Sequence, residues 1–341
     1  MAQLASSAMQ VLKSVIVSPK LSRAFQILGA AFVALEIFRA TRVAGRYLLP
    51  RSSAGHLKAK YAKAGSWAVV TGASDGIGRA LALELAAIGF NVCVIARTQS
   101  KLDEVVGEIT TKNPTVQAKA LSFDFGTTSN EAYADLFAQL DALEIAVLVN
   151  NVGISHTNAE LFEDPSVADD LKLLTVNCEP MIRLCKYIVP KLKAKRSGAI
   201  VNLSSLSAVV TAVPYLATYA GTKAFNQTFS TSLAYELQPF GVDVLTVTPG
   251  MVSTGMTQGS AARRPRVNFG MVDSAVMARD TLAQLGRVIS TAGHHNHDLQ
   301  TSIVSSLPLW YVGPSTYKLF KKISDARKRK AAAASVAQQN E

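Results

Sequence analysis

The sequence predicts an α/β fold in which helices cover both faces of a doubly wound parallel β-sheet. From Ser66 onward, short apolar runs alternate with segments of helical periodicity, as βαβ units require. A glycine-rich turn follows the first apolar run directly, and polar side chains follow several later runs. At 341 residues, about half of them apolar, the chain is long enough for one large domain of this kind.

Six apolar runs have the length and composition of strands that are buried on both faces. They are Trp67–Thr71, Val92–Ala96, Ala118–Phe123, Ile145–Val149, Ala199–Leu203 and Val242–Thr246. Amphipathic segments between these runs predict helices near 77–89, 100–112, 128–140, 168–195 and 217–238. Residues 251–293 are less regular, and we interpret them as a candidate lid over the strand ends.

These patterns divide the chain into four parts. Residues 1–65 are an apolar and basic segment, and residues 66–293 hold the sheet and the lid. Residues 294–326 form a C-terminal extension, and the basic tail 327–341 is predicted to be frayed or disordered.

The positive charge of the chain is concentrated at its two ends. Residues 1–65 contain ten basic residues and one acidic residue, and residues 321–341 contain six and two. The intervening 66–320 contain 19 basic and 21 acidic residues. A nucleic-acid groove needs basic charge spread over a folded face, so we expect no nucleic-acid partner. Basic ends beside apolar segments instead predict contact with anionic lipid on the cytoplasmic side of a membrane.

The stretch Ala24–Phe38 is apolar apart from Gln26 and Glu36. At about 15 residues it is shorter than the ~20 that cross a bilayer without strain. Basic residues follow it as far as Lys63, which argues against a cleaved secretory signal. We interpret the stretch as a membrane anchor that either crosses the bilayer or lies in its interface. The alternative is an amphipathic helix packed on the body of the protein.

Cysteine and histidine usage predicts no metal site. The three cysteines lie in apolar surroundings without a CxxC spacing, which is typical of reduced core thiols in a body that faces the cytosol. His294, His295 and His297 form a compact group, but no cysteine or carboxylate completes it at a standard spacing.

The segment Thr71–Gly78 reads TGASDGIG and lies between a predicted strand and a predicted helix. Glycines let the backbone approach a pyrophosphate closely, and a helix N-terminus directs N–H groups at it. A glycine pattern alone also fits an ordinary tight turn, but the flanking elements favour a Rossmann-type dinucleotide site. The predicted cofactor contacts in this turn are Gly72, Ser74, Gly76, Ile77 and Gly78.

Further polar groups follow the carboxyl ends of later strands, where open α/β sheets bind ligands. They are Asn150 and Asn151 after the fourth strand, Ser204 and Ser205 after the fifth, and Pro249, Gly250, Val252 and Thr254 after the sixth. Asn177 lies in the long helix after the fourth strand. Tyr219 and Lys223 begin the helix after the fifth strand, one turn apart and therefore on one face.

In this order the motifs TGxxxGIG, NNxG, Ser–Tyr–x3–Lys and PG resemble the short-chain dehydrogenase/reductase family over about 66–255. The resemblance implies that Tyr219 donates a proton to a carbonyl oxygen and that Lys223 binds the nicotinamide ribose. It also implies that Ser205 hydrogen-bonds the carbonyl and that Asn177 holds a water for proton relay. A cation one turn from a phenol favours the phenolate, so we expect Lys223 to lower the pKa of Tyr219.

One spacing departs from the family pattern. The family serine lies thirteen positions before the tyrosine, whereas Ser205 lies fourteen before Tyr219, and the thirteenth position is Leu206. We assign the carbonyl contact to Ser205, because it follows the strand as the N-x-S-S pattern requires. Ser207 is the alternative, and Ser204 is disfavoured because strand alternation turns it away.

The end of the second strand predicts the cofactor. An acid there would bind the ribose 2′-hydroxyl of NAD, but Arg97 and Thr98 follow instead, with no acid before Asp103. Arg97 is placed to pair with a 2′-phosphate, assisted by Thr98 and Lys101, so NADPH is the predicted cofactor. A solvated surface arginine is the alternative reading. By resemblance, Asp124 hydrogen-bonds the adenine.

The segments Ile95–Leu102 and His295–Pro308, with the apolar N-terminus, resemble the membrane-bound very-long-chain 3-oxoacyl-CoA reductases and their 17β-hydroxysteroid dehydrogenase relatives. The resemblance implies NADPH-dependent reduction of long-chain 3-oxoacyl-CoA in fatty-acid elongation, at the endoplasmic reticulum membrane with the catalytic domain facing the cytosol. The expected partners are membrane lipid, other elongation enzymes and a second copy of the chain. Steroid or retinoid dehydrogenase activity and a non-catalytic membrane scaffold remain the alternatives.

The candidate lid suggests how a long acyl-CoA is held. Apolar side chains in it are predicted to line a channel for the acyl chain: Met251, Met256, Phe269, Met271 and Met277. Basic side chains beside them are predicted to meet the coenzyme A phosphates: Arg263, Arg264 and Arg266. In the alternative interpretation the methionines pack the lid on the body and the arginines are solvated.

Overall fold

A computed structural model describes residues 19–48, 54–61, 63, 65–156, 158–210, 212–255 and 270–339. It divides the chain into two compact units, Met1–Arg51 and Ser52–Glu341. The boundary differs from the predicted one at residue 65, because a short helix before the sheet packs on the second unit, as described below.

The first unit contains helix α1, Pro19–Leu48. Its part Pro19–Phe38 spans 20 residues with a mean hydropathy of 1.5, which by length and composition is enough to cross a membrane. The helix is therefore longer than the apolar stretch suggested, because helical geometry continues on both sides of it. No side chain of Pro19–Phe38 is buried; Ile27 and Leu28, for example, are 68% and 64% exposed.

The second unit is built on a seven-stranded sheet whose paired strands are all parallel, in the order β3-β2-β1-β4-β5-β6-β9. The strands are β1 Trp67–Thr71, β2 Asn91–Ala96, β3 Ala118–Ser122, β4 Ile145–Asn150, β5 Gly198–Leu203, β6 Val242–Val247 and β9 Ser290–Thr291. A separate pair joins β7, Val252–Ser253, to β8, Val272–Asp273. The predicted doubly wound parallel sheet is confirmed, and each predicted strand lies within a residue or so of its observed bounds.

Helices cover both faces of this sheet. They are α2 Ala54–Tyr61, α3 Gly76–Ile88, α4 Gln99–Lys112, α5 Asn130–Asp141, α6 Val167–Asn177, α7 Glu179–Lys195, α8 Ala217–Leu237, α9 Ser274–Leu282, α10 His295–Ser306 and α11 Leu309–Gln339. One core contains side chains of α3, α4 and α9, and the other contains side chains of α5, α7 and α8. Alternate strand residues such as Val69 and Val70 enter opposite cores, which explains why the central strands β1, β2, β4 and β5 are apolar over most of their length.

The predicted helix 168–195 is two helices, α6 and α7, that meet at Cys178. Pro180 lies in the first turn of α7, where its missing N–H costs nothing, but it cannot donate to the carbonyl of Val176. The chain therefore restarts its helix here, and this break sets the position of Asn177 at the end of α6.

The segment 251–293 is more regular than predicted, since it contains β7, β8, α9 and β9. Helix α9 begins at an N-cap aspartate, Asp273, whose carboxylate accepts hydrogen bonds from the N–H groups of Ala275 (2.8 Å) and Val276 (3.4 Å). The central part of the candidate lid, 256–269, lies outside the described residues.

The ends of the second unit are also helical. Helix α2 buries Leu57 and Tyr61 against the body, and the Tyr61 hydroxyl donates to Asp243 at 2.7 Å, so these residues belong to the second unit. At the other end, α11 continues to Gln339 through most of the tail that was predicted to be disordered. Its repeated alanines and basic residues are good helix formers, and this propensity accounts for the difference.

Candidate active site

The predicted site groups meet at the carboxyl edge of the sheet, where β1 and β4 are neighbours although they are not consecutive in the chain. This reversal of strand order is where open α/β sheets bind ligands. The Thr71 hydroxyl donates to the carbonyl of Val149 at 3.2 Å and accepts from the N–H groups of Asn151 (3.0 Å) and Val152 (3.1 Å). Thr71, which sequence reasoning did not single out, thereby fixes the ends of both strands to each other.

Three glycines in the turn after β1 are required by the backbone and its neighbours. Gly72 and Gly76 have φ values of 63° and 57°, which side chains rarely tolerate. A Cβ on Gly78 would lie 2.4 Å from the carbonyl oxygen of Gly72 and 2.3 Å from Nδ2 of Asn151. The turn is thus held as a concave backbone surface with no room for side chains, as close approach to a pyrophosphate requires.

The N-terminus of α3 is left available to an anion. Asp75 occupies the N-cap but makes no side-chain hydrogen bond to the first turn of its own helix. Its carboxylate instead accepts the N–H of Gly255 at 2.9 Å. Because this first turn contains no acidic residue, its N–H groups and the helix dipole favour a negatively charged ligand. The predicted contacts Ser74 and Ile77 are half-buried at this end of the helix.

The side chains of Asn150 and Asn151 form hydrogen bonds with other groups of the protein. Nδ2 of Asn151 donates to the carbonyls of Thr71 (2.9 Å) and Gly72 (3.1 Å), which ties β4 to the glycine turn. Asn150 is buried, and its Nδ2 donates to Oδ1 of Asn202 at 2.8 Å between β4 and β5. Asn151 therefore positions the glycine turn, and Asn150 joins β4 to β5. Sequence reasoning used Asn202 only as the first residue of the N-x-S-S pattern and gave it no role of its own.

The residues after β6 lie beside the same turn. Thr254 packs on Gly76, since a Cβ there would be 2.8 Å from its Cγ2 atom. The carbonyl of Pro249 accepts the N–H of Leu206 at 2.8 Å, which links this segment to the loop after β5. Val252 is buried in β7. Gly250 lies against a buried histidine of α10.

Tyr219, Lys223 and Ser205 form the chemical centre of this edge. Tyr219 and Lys223 lie one turn apart near the start of α8, with the Lys223 ammonium 5.9 Å from the centre of the tyrosine ring. Burial raises the pKa of Tyr219, while a side-chain hydrogen bond from Ser205 acts in the opposite direction. The expected lowering by Lys223 is therefore not what this structure gives: removal from water dominates, and the phenol is held in its protonated form.

Lys223 is almost completely removed from solvent. It is 5% exposed, and its Nζ atom donates to the carbonyl of Leu203 at 3.3 Å. Burial lowers its pKa to about 8. A Cβ on Gly153 would lie 3.1 Å from this Nζ atom and 3.2 Å from Oδ1 of Asn177, so the glycine makes room for both groups.

Asn177 is held at the break between α6 and α7. Its Oδ1 atom accepts the N–H of Ile154 at 2.7 Å, and its Nδ2 donates to the Ile154 carbonyl (2.9 Å) and the Thr222 hydroxyl (3.0 Å). Both amide hydrogens are thus used within the protein. The predicted water relay remains a prediction, and the side chain itself positions the loop that faces Lys223.

The three neighbouring serines have different surroundings. Ser204 is buried and donates to the carbonyl of Lys223 at 2.6 Å, which fixes the end of β5 to α8. Ser205 lies close enough to Tyr219 for its hydroxyl to lower the pKa of the phenol, and it accepts the N–H of Ser207 at 3.1 Å. A single turn of 3₁₀ helix, Leu206–Ala208, follows and accommodates the extra residue of the loop. The Ser207 hydroxyl has no hydrogen-bond partner among the described residues, which keeps it as the alternative.

We expect Ser205→Ala to slow turnover much more than Ser207→Ala, because the Ser205 hydroxyl acts on the pKa of Tyr219, whereas the Ser207 hydroxyl is not among the causes of that shift. Loss of one hydrogen bond to a developing charge costs roughly 10²–10³ in kcat. The measurement is steady-state kcat of both variants, with protein folding checked by circular dichroism. The reverse ranking would transfer the carbonyl contact to Ser207.

The predicted 2′-phosphate site lies at the end of β2. The N–H of Gly72 donates to the carbonyl of Ile95 at 2.8 Å, so the chain after β2 runs beside the glycine turn. Arg97 and Thr98 are exposed there, and the Arg97 guanidinium has no hydrogen bond or ion pair with any described residue. Asp124 is exposed at the end of β3, where its carboxylate accepts the N–H of Gly126 at 2.9 Å.

The sequence predicts no metal site at the group His294, His295 and His297. The structure adds a carboxylate from α9: ligand atoms of Asp280, His294 and His295 lie within 4.8 Å of one another. Sequence reasoning missed Asp280 because it lies fourteen positions upstream. Nδ1 of His294, however, accepts the N–H of Asn296 at 3.2 Å. In a neutral imidazole ring the proton then lies on Nε2, so neither ring nitrogen has a free lone pair to bind a metal.

The predicted acyl channel is contradicted at one position. Met277 is fully buried in the core between the sheet and α3, so it packs the body and cannot line an open channel. Met251 and Met271 are 52% and 38% exposed, as a surface channel would require. The remaining predicted lid residues lie outside the described part of the chain: Met256, Phe269, Arg263, Arg264 and Arg266.

Comparison with known proteins gives a consistent result. The profile of the short chain dehydrogenases matches residues 66–265. A very-long-chain 3-oxoacyl-CoA reductase of Caenorhabditis elegans is 36% identical over 286 residues, 83% of this chain and 89% of the relative. One of Podospora anserina is 42% identical over 199 residues, 58% of each chain. A solved structure with bound NADP, a putative NAD(P)-dependent gluconate 5-dehydrogenase from Beutenbergia cavernae, superposes with a TM-score of 0.57 at 30% identity, covering 65% of this chain and 89% of its own.

Proposed function

The chain belongs to the short-chain dehydrogenase family, and from this premise we propose that it is an NADPH-dependent reductase of long-chain 3-oxoacyl-CoA. The observation that carries the proposal is the grouping of Ser205, Tyr219 and buried Lys223 beside a glycine turn whose close neighbours leave room only for backbone, as binding of a dinucleotide requires. The curated relatives that cover most of the chain support the choice of substrate.

The residues of the site fit a nicotinamide dinucleotide. A Cβ on any of the three turn glycines would meet its neighbours, and the uncapped first turn of α3 suits a pyrophosphate. The unpaired Arg97 suits a 2′-phosphate. When bound, the reduced nicotinamide supplies a hydride to the substrate carbonyl.

The side chains supply the proton and hold the carbonyl. Tyr219 donates its hydroxyl proton to the carbonyl oxygen as negative charge develops there, and Ser205 donates a second hydrogen bond to the same oxygen. Reduction consumes a proton, so a tyrosine whose pKa is raised by burial begins the reaction in the required form. Lys223 binds the nicotinamide ribose and stabilises the tyrosinate left behind.

We also propose a membrane location and an oligomeric state for the enzyme. Helix α1 anchors the chain in the endoplasmic reticulum membrane with the second unit in the cytosol, near lipid and the other enzymes of fatty-acid elongation. A homodimer is supported by an exposed apolar stripe on α6, formed by Val167, Leu171 and Leu174 at helical spacing.

The function is tested by NADPH consumption with 3-oxoacyl-CoA substrates of increasing chain length. Each buried methylene contributes about 0.8 kcal/mol, or about fourfold in KM, until the binding region is full. We therefore expect KM to fall steeply with chain length. The same assay with ketosteroids and retinal is the control. A flat KM across chain lengths together with turnover of a steroid would assign the protein to the steroid dehydrogenases, and no NADPH consumption with any ketone would indicate a scaffold.

A further inference from the structure

Helices α10 and α11 expose an apolar surface that the catalytic site does not use. Six side chains make up this C-terminal apolar surface: Leu299, Ile303, Leu307, Leu309, Trp310 and Tyr311. Trp310 is 77% exposed, which is extreme for the largest apolar side chain. A contiguous patch of this kind on a folded body marks a contact surface.

The spacing of these residues shows that the surface is an organised face. Leu299 and Ile303 lie four positions apart on α10, and Leu307 caps its C-terminus, whereas His297 and Asp298 of the same helix are buried in the body. Helix α10 therefore has a face that packs inward and a separate apolar face that points to solvent. The exposed apolar side chains continue with Leu309, Trp310 and Tyr311 at the start of α11.

Helix α11 packs on the loop between β5 and α8, which lies between Ser205 and Tyr219. Val312 is buried immediately after Tyr311, and the Thr316 hydroxyl donates to the carbonyl of Ala212 at 3.1 Å. The rings of Tyr215 and Tyr317 are 5.6 Å apart. Ala212 and Tyr215 belong to the loop between Ser205 and Tyr219, so α11 rests on the loop that carries the candidate active site.

The charge and the side-chain types around the C-terminal apolar surface favour a lipid bilayer as the partner that covers it. Tyr311, Lys318 and Lys322 share one side of α11 by their spacing of seven and four residues. Both lysines are exposed and form no ion pair with any described residue. Tryptophan and tyrosine beside lysine are the side chains that concentrate at the headgroup level of membranes. The chain also carries α1, which is apolar enough to cross a membrane.

We propose that the C-terminal apolar surface is an interfacial membrane-docking site of the catalytic unit, distinct from the N-terminal helix. It inserts its apolar side chains among the headgroups of an anionic bilayer and holds the substrate side of the site at the lipid surface. Docking as such does not depend on the substrate. The further consequence, that a long acyl chain enters directly from lipid, rests on the proposed function.

The test uses the full-length chain in vesicles of phosphatidylcholine and phosphatidylserine. The sequence contains two tryptophans, so Trp67→Phe leaves Trp310 as the sole reporter. We expect the Trp310 fluorescence to shift to the blue and to be quenched by lipids brominated near the headgroup. Solvent-like emission that brominated lipids leave unchanged would overturn the proposal. Protection from aqueous acrylamide without lipid quenching would do the same and would assign the surface to a second copy of the chain.

A matched control places the reporter elsewhere on the same protein. Tyr235 of α8 is 63% exposed, so the variant with Trp67→Phe, Trp310→Phe and Tyr235→Trp carries one tryptophan outside the proposed surface. Its fluorescence should be insensitive to brominated lipids. Equal quenching at both positions would indicate unspecific adsorption and would contradict a defined docking face.

A second arm separates docking from catalysis. Ile303→Asp with Leu309→Asp should abolish the lipid quenching of Trp310 and raise KM severalfold for a long-chain substrate presented in vesicles. NADPH consumption with a short water-soluble 3-oxoacyl-CoA should be unchanged, which also shows that the variant folds. Retained lipid quenching in this variant would overturn the docking proposal. Failure of every 3-oxoacyl-CoA as a substrate would instead overturn the proposed function and leave the fluorescence result standing.

Discussion

Tyr219→Phe should lower kcat for ketone reduction by about 10²–10⁴, the contribution of a well-placed general acid. Phenylalanine keeps the half-buried ring in its position on α8 and removes only the hydroxyl, whose pKa Ser205 influences. The dissociation constant of NADPH should change little, because the nucleotide turn and Arg97 are untouched. Stopped-flow measurement of NADPH oxidation in a single turnover reports the loss directly.

Tyr235→Phe is the matched control, since Tyr235 lies on the same helix but is 63% exposed. It should retain normal kcat. Near-normal turnover by Tyr219→Phe would show that another group protonates the carbonyl, and Ser205 would become the next candidate. Weakened NADPH binding in Tyr219→Phe together with normal chemistry would assign Tyr219 to cofactor positioning.

The fold was largely predictable because its signals are local. A strand covered on both faces is mostly apolar, and six mostly apolar runs of five or six residues stand out in the sequence. The glycine turn after β1 was recognisable for a similar reason, since backbone conformations such as those of Gly72 and Gly76 admit few other residues. The seventh strand, Ser290–Thr291, is defined by pairing with β6 and is too short to have a pattern of its own.

The errors concern features that depend on tertiary contacts. The apolar pattern continues on both sides of Cys178, so periodicity alone cannot show that α6 ends there; Pro180 was the available signal. Met277 looks like Met251 and Met271 in the sequence, and only packing against the sheet separates it from them. Burial also decides the direction of the pKa shift of Tyr219, and burial is not visible from a helical spacing.

The positioning network was the least predictable part of the candidate site. Thr71, Asn202 and Ser204 hold strand ends and α8 through hydrogen bonds of 2.6 to 3.2 Å. All three belong to the motifs TGxxxGIG and N-x-S-S, but the motifs do not show what each side chain holds, because the partners of buried polar groups are set by the folded arrangement. The site thus combines recognisable reacting groups with a supporting set that only the folded arrangement identifies.

Arg97→Glu should weaken NADPH binding by roughly 2–4 kcal/mol, or about 30- to 700-fold in dissociation constant, because it removes a charge-assisted pair and adds repulsion. Arg97 is exposed at the end of β2, so the substitution disturbs no internal ion pair among the described residues. Glutamate there can also accept a hydrogen bond from a ribose 2′-hydroxyl. The affinity for NADH should therefore change little or improve. Fluorescence titration with both nucleotides measures the two constants.

Lys186→Glu is the control for the change in net charge, since Lys186 is exposed on α7, which covers the opposite face of the sheet from α3 and α4. It should leave both dissociation constants unchanged. Salt offers an independent check, because a pair at an exposed site weakens as ionic strength rises. The affinity of the unmodified protein for NADPH should fall with salt more steeply than that of Arg97→Glu. Equal losses for NADPH and NADH would mean that Arg97 supports the fold of the β2 end, and the 2′-phosphate contact would have to be sought at Thr98 or Lys101.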